Sequence, residues 1–504
     1  MKRFGRAIFV ITALFLLAAP PDAEAQPRRT WDGRAFLART RFDQDFERLV
    51  LKFRAGTGVR VRSGRLVVDT AAGPPAGSPA YQAVVRDLAA IESRLAAQGL
   101  AVRPLWSASE SQLNARRSQI HASSGIQPVD LNLYAGVVLP NLGRGLPLAQ
   151  MLTAFVALGS IEVAYPETPN VLHWPAVWNN TLAPPGITPF FLNLQGYLKP
   201  APVGIDAFYA WTVAGGAGNT IKVYDVDTGV NATHEDLPAL FASEAGGGDK
   251  AHGTATLGVI AARNNGLGLK GIAYNAGIGM KVSDGTADSI EEAAMALSSG
   301  DVLLLETAKK LAGWTCDCNP TQAGSVPQEH YPAQFDVIQT ATLAGVTVVQ
   351  VAGNGCVDLD DDFFDGWFDR DVQDSGAVLV GASLSTERTP TCYSNSGSRI
   401  DVHAWGENII CLQFLRATEV PVFDKGPNRL YGPNFGGTSG ASAIVAGAVA
   451  SIQGVAKGWF FTPLTPAEVR ELLVDHGTPQ SGELERPIGP MPDLRGALEA
   501  LFDL

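Results

Sequence analysis

Short apolar runs alternate with longer helical patterns over the second half of the chain. Buried strands are predicted where apolar residues cluster, at 221–226, 278–282, 302–305, 346–351, 377–380 and 400–402. Apolar residues at helical spacing fall between these runs, at 289–297, 331–343 and 439–453. Strands that alternate with helices imply crossover connections, so the pattern predicts an α/β fold with a mostly parallel sheet covered on both faces.

The part of the chain before residue 169 has a different pattern. A helix is predicted over 81–98 from the spacing of its apolar residues. Further on, strand-like runs at 131–139 and 161–165 flank a helical pattern at 148–158. These three elements predict a small α+β unit over about residues 128–168.

The first residues have the features of an export signal. Lys2, Arg3 and Arg6 precede an apolar run over 7–19, and small residues lead up to Ala25. The run is shorter than the roughly 20 residues that a spanning helix needs. We therefore predict a signal peptide removed after Ala25, a secreted protein (extracellular or periplasmic) and no membrane anchor.

Length and charge indicate that the chain after residue 25 contains more than one folded unit. With 504 residues the chain is long enough for two or three folded units. Residues 26–168 carry 17 Lys and Arg against 11 Asp and Glu, whereas residues 169–504 carry 18 against 37. The acidic part argues against nucleic acid as a partner. Its start, 169–205, is rich in Pro, Asn and Trp, which is typical of a linker or of an extended segment lying across another domain.

Candidate catalytic residues lie directly after predicted strands or at the start of predicted helices. Active sites of parallel sheets lie beyond the carboxyl ends of the strands. Acyl transfer by serine needs a nucleophile, a base, a carboxylate that orients the base, and donors for the oxyanion. Ser439 opens a helix, His252 opens another, Asp227 ends a strand, and Asn354 follows the run 346–351. Taken alone, each is explained as a helix cap or turn residue, and Asp225 competes for the carboxylate role because it lies on the same strand face.

Together these motifs make the chain resemble the subtilisin-like serine peptidases, or subtilases, over about residues 200–504. The matching segments are 226–230 with 234–237 around Asp227, 252–254 with 271–273 around His252, 352–354 at Asn354, 437–439 with 441–442 and 446–447 around Ser439, 395–402, and 465–469. The resemblance implies a three-layer α/β sandwich and a secreted serine endopeptidase that acts on proteins or peptides. It further implies a monomer that requires no cofactor.

The resemblance also implies a role for each residue. Asp227 is expected to orient His252, His252 to act as general base and then acid, Ser439 to be the nucleophile and Asn354 to donate to the oxyanion. Tentative substrate-binding residues are Glu306, Thr307, Ala352 and Gly353.

The chain departs from the family pattern near the predicted cleft. Glu306, Thr307 and Ala308 stand where the family usually has Ser-x-Gly, and Gly440 follows the nucleophile where Met is usual. A carboxylate at Glu306 favours basic substrate side chains, although a structural Glu fits equally well. These changes motivate the alternative of a catalytically silent, subtilase-like binding protein with its prodomain retained in the cleft.

Two other enzyme classes fit less well. An esterase or lipase of the α/β-hydrolase type needs its Asp and His after the serine, whereas both precede Ser439 here. A Ser-Glu-Asp carboxyl peptidase would not need His252.

The unit at 128–168 resembles the propeptide of secreted subtilases. We therefore expect a signal peptide at 1–25, an N-terminal region at 26–168 that acts as an intramolecular inhibitor, and a catalytic domain at 169–504. Opposite charges would draw the two regions together. The alternative is that residues 26–168 form an independent domain that stays attached.

Cysteines and a run of carboxylates raise two structural questions. The five cysteines lie between Cys316 and Cys411, and a bridge between Cys356 and Cys392 is conceivable, although the pairing stays open. Asp358, Asp360 and Asp362 form a candidate site for structural Ca²⁺, because hard oxygen ligands alternate there. A solvated acidic loop explains the same run, so no metal site is predicted firmly.

Overall fold

Residues 31–171, 187–244, 248–414 and 421–503 are described by the computed structural model. The predicted signal peptide lies outside the described residues. The described chain forms an N-terminal region followed by a larger α/β domain.

An antiparallel sheet with helices forms the N-terminal region. Its strands are β1 (Arg48–Phe53), β2 (Val59–Arg62), β3 (Arg65–Val68), β4 (Arg103–Pro104), β5 (Tyr134–Val138) and β6 (Ile161–Glu167). Its helices are α1 (Gly33–Arg39), α2 (Pro79–Ala96), α3 (Glu110–Ser124) and α4 (Leu148–Val156), with 3₁₀ turns at Leu131–Leu133 and Pro140–Gly143. The sheet order is β4-β5-β1-β6, and β2 pairs with β3 in a separate hairpin.

Strand β1 completes the small unit that the sequence indicated. It lies between β5 and β6 and is antiparallel to both. The predicted pair of strands therefore does not pair directly. Lys52 interrupts the apolar pattern of β1, yet it is almost fully buried because Asp336 and Glu162 flank its ammonium group at 2.8 and 3.1 Å.

The larger domain is built on a parallel sheet. Its described strands are β7 (Asn170–Val171), β8 (Lys222–Asp227), β9 (Ala242–Ser243), β10 (Gly277–Val282), β11 (Val302–Leu305), β12 (Ala308–Lys310), β13 (Ser325–Val326), β14 (Thr347–Val351), β15 (Val378–Ser383), β16 (Val402–Trp405), β17 (Ile409–Gln413), β18 (Phe423–Asp424) and β19 (Leu430–Phe435). Seven of them form a parallel sheet in the order β16-β15-β14-β11-β8-β10-β9.

Helices cover both faces of that sheet. They are α5 (Ala207–Ala210), α6 (Ala251–Ala261), α7 (Ala287–Met295), α8 (Pro332–Leu343), α9 (Gly437–Phe460), α10 (Pro466–Asp475) and α11 (Leu494–Asp503). Additional 3₁₀ turns lie at Leu192–Leu194, Gly196–Leu198, Gln328–His330 and Asp362–Phe364. Residues of α6 and α9 share one apolar core, and residues of α7 and α8 share the other. The predicted α/β fold with three layers is confirmed.

Helix α9 is the central helix of the first layer. It packs against β14, β15 and β16. Among the described residues it is the one helix long and apolar enough to cross a membrane, and its apolar stretch is entirely buried within the protein.

The segment between the two regions is described from residue 187 onward. Phe190 forms a bridge with Gly268, and the amide of Phe191 donates to the Gly268 carbonyl at 2.7 Å. Gln195 and Leu198 are fully buried. The described part of 169–205 thus lies across the α/β domain.

Candidate active site

The carboxyl end of β8 and the start of α6 bring a carboxylate and an imidazole together. Asp227 is the last residue of β8, and its Oδ2 lies 2.6 Å from His252 Nδ1. Gly253 permits this approach, because a Cβ there would lie 2.5 Å from the Gly229 carbonyl oxygen. The bond occupies one ring nitrogen and leaves Nε2 of His252 for proton transfer.

Asp225 has a different environment, although it precedes Asp227 by two residues. Its side chain is fully buried, and neither of its oxygens has a hydrogen-bond partner among the described residues. Burial raises its pKa well above the usual range, and the neighbouring Asp227 and Glu306 raise it further. Asp225 is therefore a neutral acid beneath the site, whereas Asp227 contacts the imidazole.

His252 is held in its charged form more strongly than an ordinary histidine. Burial lowers its pKa, but Asp227, Glu306 and Asp249 outweigh that effect and bring the pKa to about 9. Phe435 covers the ring edge-on at a centroid distance of 5.5 Å.

Ser439 lies in the first turn of α9. The amides on either side of it are engaged: Thr438 N donates to Asn354 Oδ1 at 2.8 Å, and Gly440 N donates to the Gly436 carbonyl at 3.0 Å. Amides in the first turn of a helix have no acceptor within the helix itself. The free N–H and the positive end of the helix dipole suit a developing oxyanion.

Asn354 follows β14 and is anchored to the same helix end. Its Oδ1 accepts from the amide and the hydroxyl of Thr438, at 2.8 and 3.0 Å. Because the oxygen is engaged, Nδ2 remains as the donor of this side chain, on the side of Gly437. Gly437, with φ +74, permits this approach, since a Cβ there would lie 3.1 Å from Asn354 Nδ2.

Asn395 shapes the loop that carries Asn354, which sequence patterns did not reveal. Its Oδ1 accepts from Gly355 N and Val357 N at 3.1 and 2.8 Å, and its Nδ2 donates to the carbonyls of Ser325 and Ala352 at 2.7 and 2.6 Å. An Asn within a strand-like segment gives no local signal, because its partners are distant in the chain.

Glu306 does not line a surface for basic substrate side chains, contrary to one expectation. Its side chain is 3% exposed, and Ser442 Oγ lies 2.8 Å from its Oε1. Ser442 is fully buried in α9, so the carboxyl group faces the helix that carries the nucleophile. Burial raises the pKa of Glu306 to about 8.

The other three tentative substrate-binding residues border the predicted cleft. Gln328 Nε2 donates to the carbonyl and hydroxyl of Thr307 at 3.1 and 2.6 Å. Ala352 N donates to the Val380 carbonyl at 2.9 Å, and Gly353 is in a left-handed conformation with φ +102. These contacts fix the walls of the site rather than leaving the groups open.

Strand β12 follows Glu306 and Thr307 directly. It pairs antiparallel with β13 on one side and with β7 on the other, with Ala308 opposite Val171. The backbone of residues 170–171, which directly follow the N-terminal region, therefore occupies one edge of the strand that follows Glu306 and Thr307.

Two disulfides link the loops around Asn354. They join Cys316 to Cys356 and Cys318 to Cys392, and Cys411 is free and buried. The conceivable Cys356–Cys392 bridge is thus wrong, because each of these cysteines pairs with one cysteine of the 316–318 loop. Asn319 from that loop donates to the Asn354 carbonyl at 3.2 Å.

The acidic loop does not form the candidate calcium site. Asp358 Oδ1 accepts from Asp360 N at 3.0 Å, and both Asp360 oxygens accept from Ser398. Among the described residues, Asp358, Asp360 and Asp362 do not bring carboxylate oxygens to a common point. Local turns use their hydrogen-bonding capacity instead.

This arrangement defines the class of serine-type hydrolases. The model of the subtilase family (peptidase S8) matches residues 218–489, more than half of the chain. The chain therefore belongs to the subtilase family of serine-type endopeptidases.

Individual relatives match at moderate identity. An extracellular protease of Xanthomonas campestris pv. campestris is 27% identical over 324 residues, covering 56% of this chain and 51% of that protein. Subtilisin E of Bacillus subtilis (strain 168) is 28% identical over 302 residues, covering 56% and 67%. The major intracellular serine protease of the same strain is 28% identical over 310 residues, covering 58% and 88%. The chain thus spans about half the length of the Xanthomonas relative.

Proposed function

We propose that this protein is the precursor of a secreted serine endopeptidase that hydrolyses peptide bonds through an acyl-enzyme on Ser439. The observation that carries the proposal is the 2.6 Å bond between Asp227 and His252, together with Ser439 in the first turn of α9. Asn354, fixed by Thr438, supports it.

Each residue has a defined part in the proposed reaction. His252 Nε2 takes the proton from Ser439 Oγ as that oxygen attacks the substrate carbonyl carbon. Asp227 stabilises the imidazolium that forms. The negative carbonyl oxygen is bound by the Ser439 amide and by Asn354 Nδ2. His252 then protonates the leaving amine, and water hydrolyses the ester in the reverse sequence of proton transfers.

The N-terminal region is proposed to inhibit this site in the precursor. Its final strand, β6, leads into β7, whose backbone pairs with β12 where an extended substrate would add as a strand. A chain held there approaches the nucleophile in the manner of a product.

Charged contacts support the assignment of an inhibitor. Arg116 pairs with Glu291 on α7 at 3.2 Å, and Arg39 pairs with Asp365 at 2.8 Å. The amide of Ser107 donates to Asp288 at 2.7 Å. A basic region thus meets an acidic domain, as the charge count indicated.

Aromatic contacts extend the same interface. Trp31 stacks on Trp367 at a centroid distance of 4.4 Å, and Phe36 contacts Tyr331 at 6.1 Å. The hydroxyl oxygen of Tyr165 accepts from the Ala333 amide at 3.1 Å. The region therefore lies against α7 and α8 and against Tyr331 and Trp367 next to them.

Secretion is part of the proposal. It rests on the charged start, the apolar run and the small residues before Ala25. The extracellular protease of Xanthomonas supports it, whereas the intracellular relative shows that the family is not confined to secreted proteins.

A fluorophosphonate probe tests the proposed activity. We expect covalent labelling of the processed protein and none in the matched variant Ser439→Ala, while Ser451→Ala, another buried serine of α9, labels normally. Labelling that persists in Ser439→Ala, or processed protein that is never labelled, contradicts the proposal. The second outcome would favour the silent binding protein.

A further inference from the structure

Glu306 is a buried carboxyl group next to the helix that carries the nucleophile. It follows β11 directly, and Ser442 Oγ lies 2.8 Å from its Oε1. The same hydroxyl oxygen lies 2.9 Å from the carbonyl oxygen of Ser439. Ser442 therefore stands between Glu306 and the first turn of α9.

Proton counting decides how these three groups bond. A serine hydroxyl has one proton, and a carbonyl oxygen can only accept. If Glu306 were ionised, Ser442 would face two acceptors with one proton. With ionised Glu306 that one proton is shared between the two acceptors. Two full hydrogen bonds form when Glu306 is a neutral acid that donates to Ser442 Oγ, which in turn donates to the Ser439 carbonyl.

The surroundings of Glu306 favour the neutral acid. Its Oε2 is buried without a hydrogen-bond partner among the described residues, a costly place for a charged oxygen. Asp227 from β8 adds negative charge, and His252 from α6 is the cation that acts on the carboxyl group. Asp225, also on β8, interacts with Glu306 as well but is itself a neutral acid. His252 is already paired with Asp227, and Asp249 also acts on it.

We propose that Glu306 is a positioning residue of the active site: as a neutral acid it donates to Ser442, which donates to the Ser439 carbonyl, and this chain fixes the first turn of α9. The inference rests on the proposed peptidase function. It accounts for a Glu where the family usually has Ser, since Ser442 supplies a hydroxyl for the acid to bind.

Ionisation of Glu306 would change the site in two ways. It would break one bond of the chain, and it would place a negative charge near His252, which holds the imidazolium proton more tightly. A neutral isostere, Gln, keeps the donor to Ser442 but never ionises. The Glu306→Gln variant therefore separates the hydrogen bond from the charge.

The first experiment measures the rate of fluorophosphonate labelling against pH in the processed protein. Ser442→Ala should label about tenfold more slowly than wild type, while the matched control Ser451→Ala is unchanged. Glu306→Gln should label within about twofold of wild type below pH 7, and it should exceed wild type above about pH 8, where the wild-type carboxyl ionises. Equal rates for the two serine variants, or a profile of Glu306→Gln that superimposes on wild type, overturn the proposal.

The second experiment does not depend on activity. In full-length Ser439→Ala protein, thermal stability is compared with and without Glu306→Gln between pH 4 and 9. Because the folded pKa of Glu306 lies above its unfolded value, its contribution is fully present below about pH 4.5 and is lost as pH rises through about 8. The variant should therefore lack that decline. An identical decline in both proteins overturns the proposal, even if unlabelled wild type has already disproved the peptidase function.

Discussion

The contacts within the α/β domain differ in kind from the contacts that join the N-terminal region to it. Within the catalytic domain, α6 and α9 are buried almost throughout, and their small and aliphatic residues pack against one sheet. The N-terminal region meets the other face of that domain through an interface that mixes buried apolar residues with ion pairs and hydrogen bonds to α7 and α8 and with a ring stacked on Trp367. The first kind of contact suits a permanent scaffold, and the second suits a partner that is later removed.

The largest expected effect distinguishes the two carboxyl groups of β8 in the α/β domain. Asp227→Asn should lower the labelling rate about 10⁴-fold, because the amide no longer holds His252 in the correct tautomer. Asp225→Asn is the matched control and should change the rate less than tenfold, since Asp225 is already neutral. Labelling kinetics on both purified variants make the comparison, and equal losses would break the distinction between the two carboxyls.

The next effect concerns the oxyanion donor. Asn354→Ala should lower kcat for peptide hydrolysis about 10²- to 10³-fold. Asn319→Ala, which removes only a contact to the Asn354 carbonyl, should cost much less. The rate of peptide hydrolysis at saturating substrate measures both. A loss confined to KM would show that Asn354 binds substrate without stabilising the transition state.

Removal of a buried charge tests the second kind of contact. Lys52→Met leaves Asp336 and Glu162 without their cation, so the N-terminal region should bind the catalytic domain about 100-fold more weakly. The concentration of processed protein at which activity appears on dilution measures this. Arg65→Met, which breaks an exposed pair with Glu92 inside the N-terminal region, should leave that concentration unchanged.

The last prediction concerns the pH dependence of labelling, which the protonation state of His252 determines. His252 must be neutral to act as a base, and its pKa is raised to about 9 while the N-terminal region is in place. Labelling of the inhibited form should therefore rise about tenfold per pH unit up to that value. A profile that is flat above pH 7 would show that the imidazole is not held as a cation.

Sequence patterns predicted the strands and helices of the α/β domain, because the signals for these elements are local. The strands that end at Asp227 and before Asn354 are apolar runs, and the residues that follow them are polar. The predicted strand at 400–402 is in fact Val402–Trp405, since the pairing with β15 continues past the apolar run. Helix α9 is also longer at both ends than 439–453.

The remaining features depend on contacts between distant residues. Strand β1 was not predicted, because a lysine within an apolar run indicates an exposed position. Lys52 is buried only because Asp336, distant in the sequence, lies beside it. The disulfide pairing stayed open for the same reason, and the one bridge considered, Cys356–Cys392, does not form. The role of Glu306 depends on Ser442, which only the packing of β11 against α9 reveals.

The most direct test of the two-region account is the N-terminal sequence of the protein recovered after secretion. Because residues 170–171 pair with β12 and residues from 187 onward lie on the catalytic domain, we predict a new N-terminus between residues 172 and 187. The Ser439→Ala variant should remain joined. The account is contradicted if an active wild-type protein still begins at residue 26, or if Ser439→Ala purified without other proteases is cut at the same position.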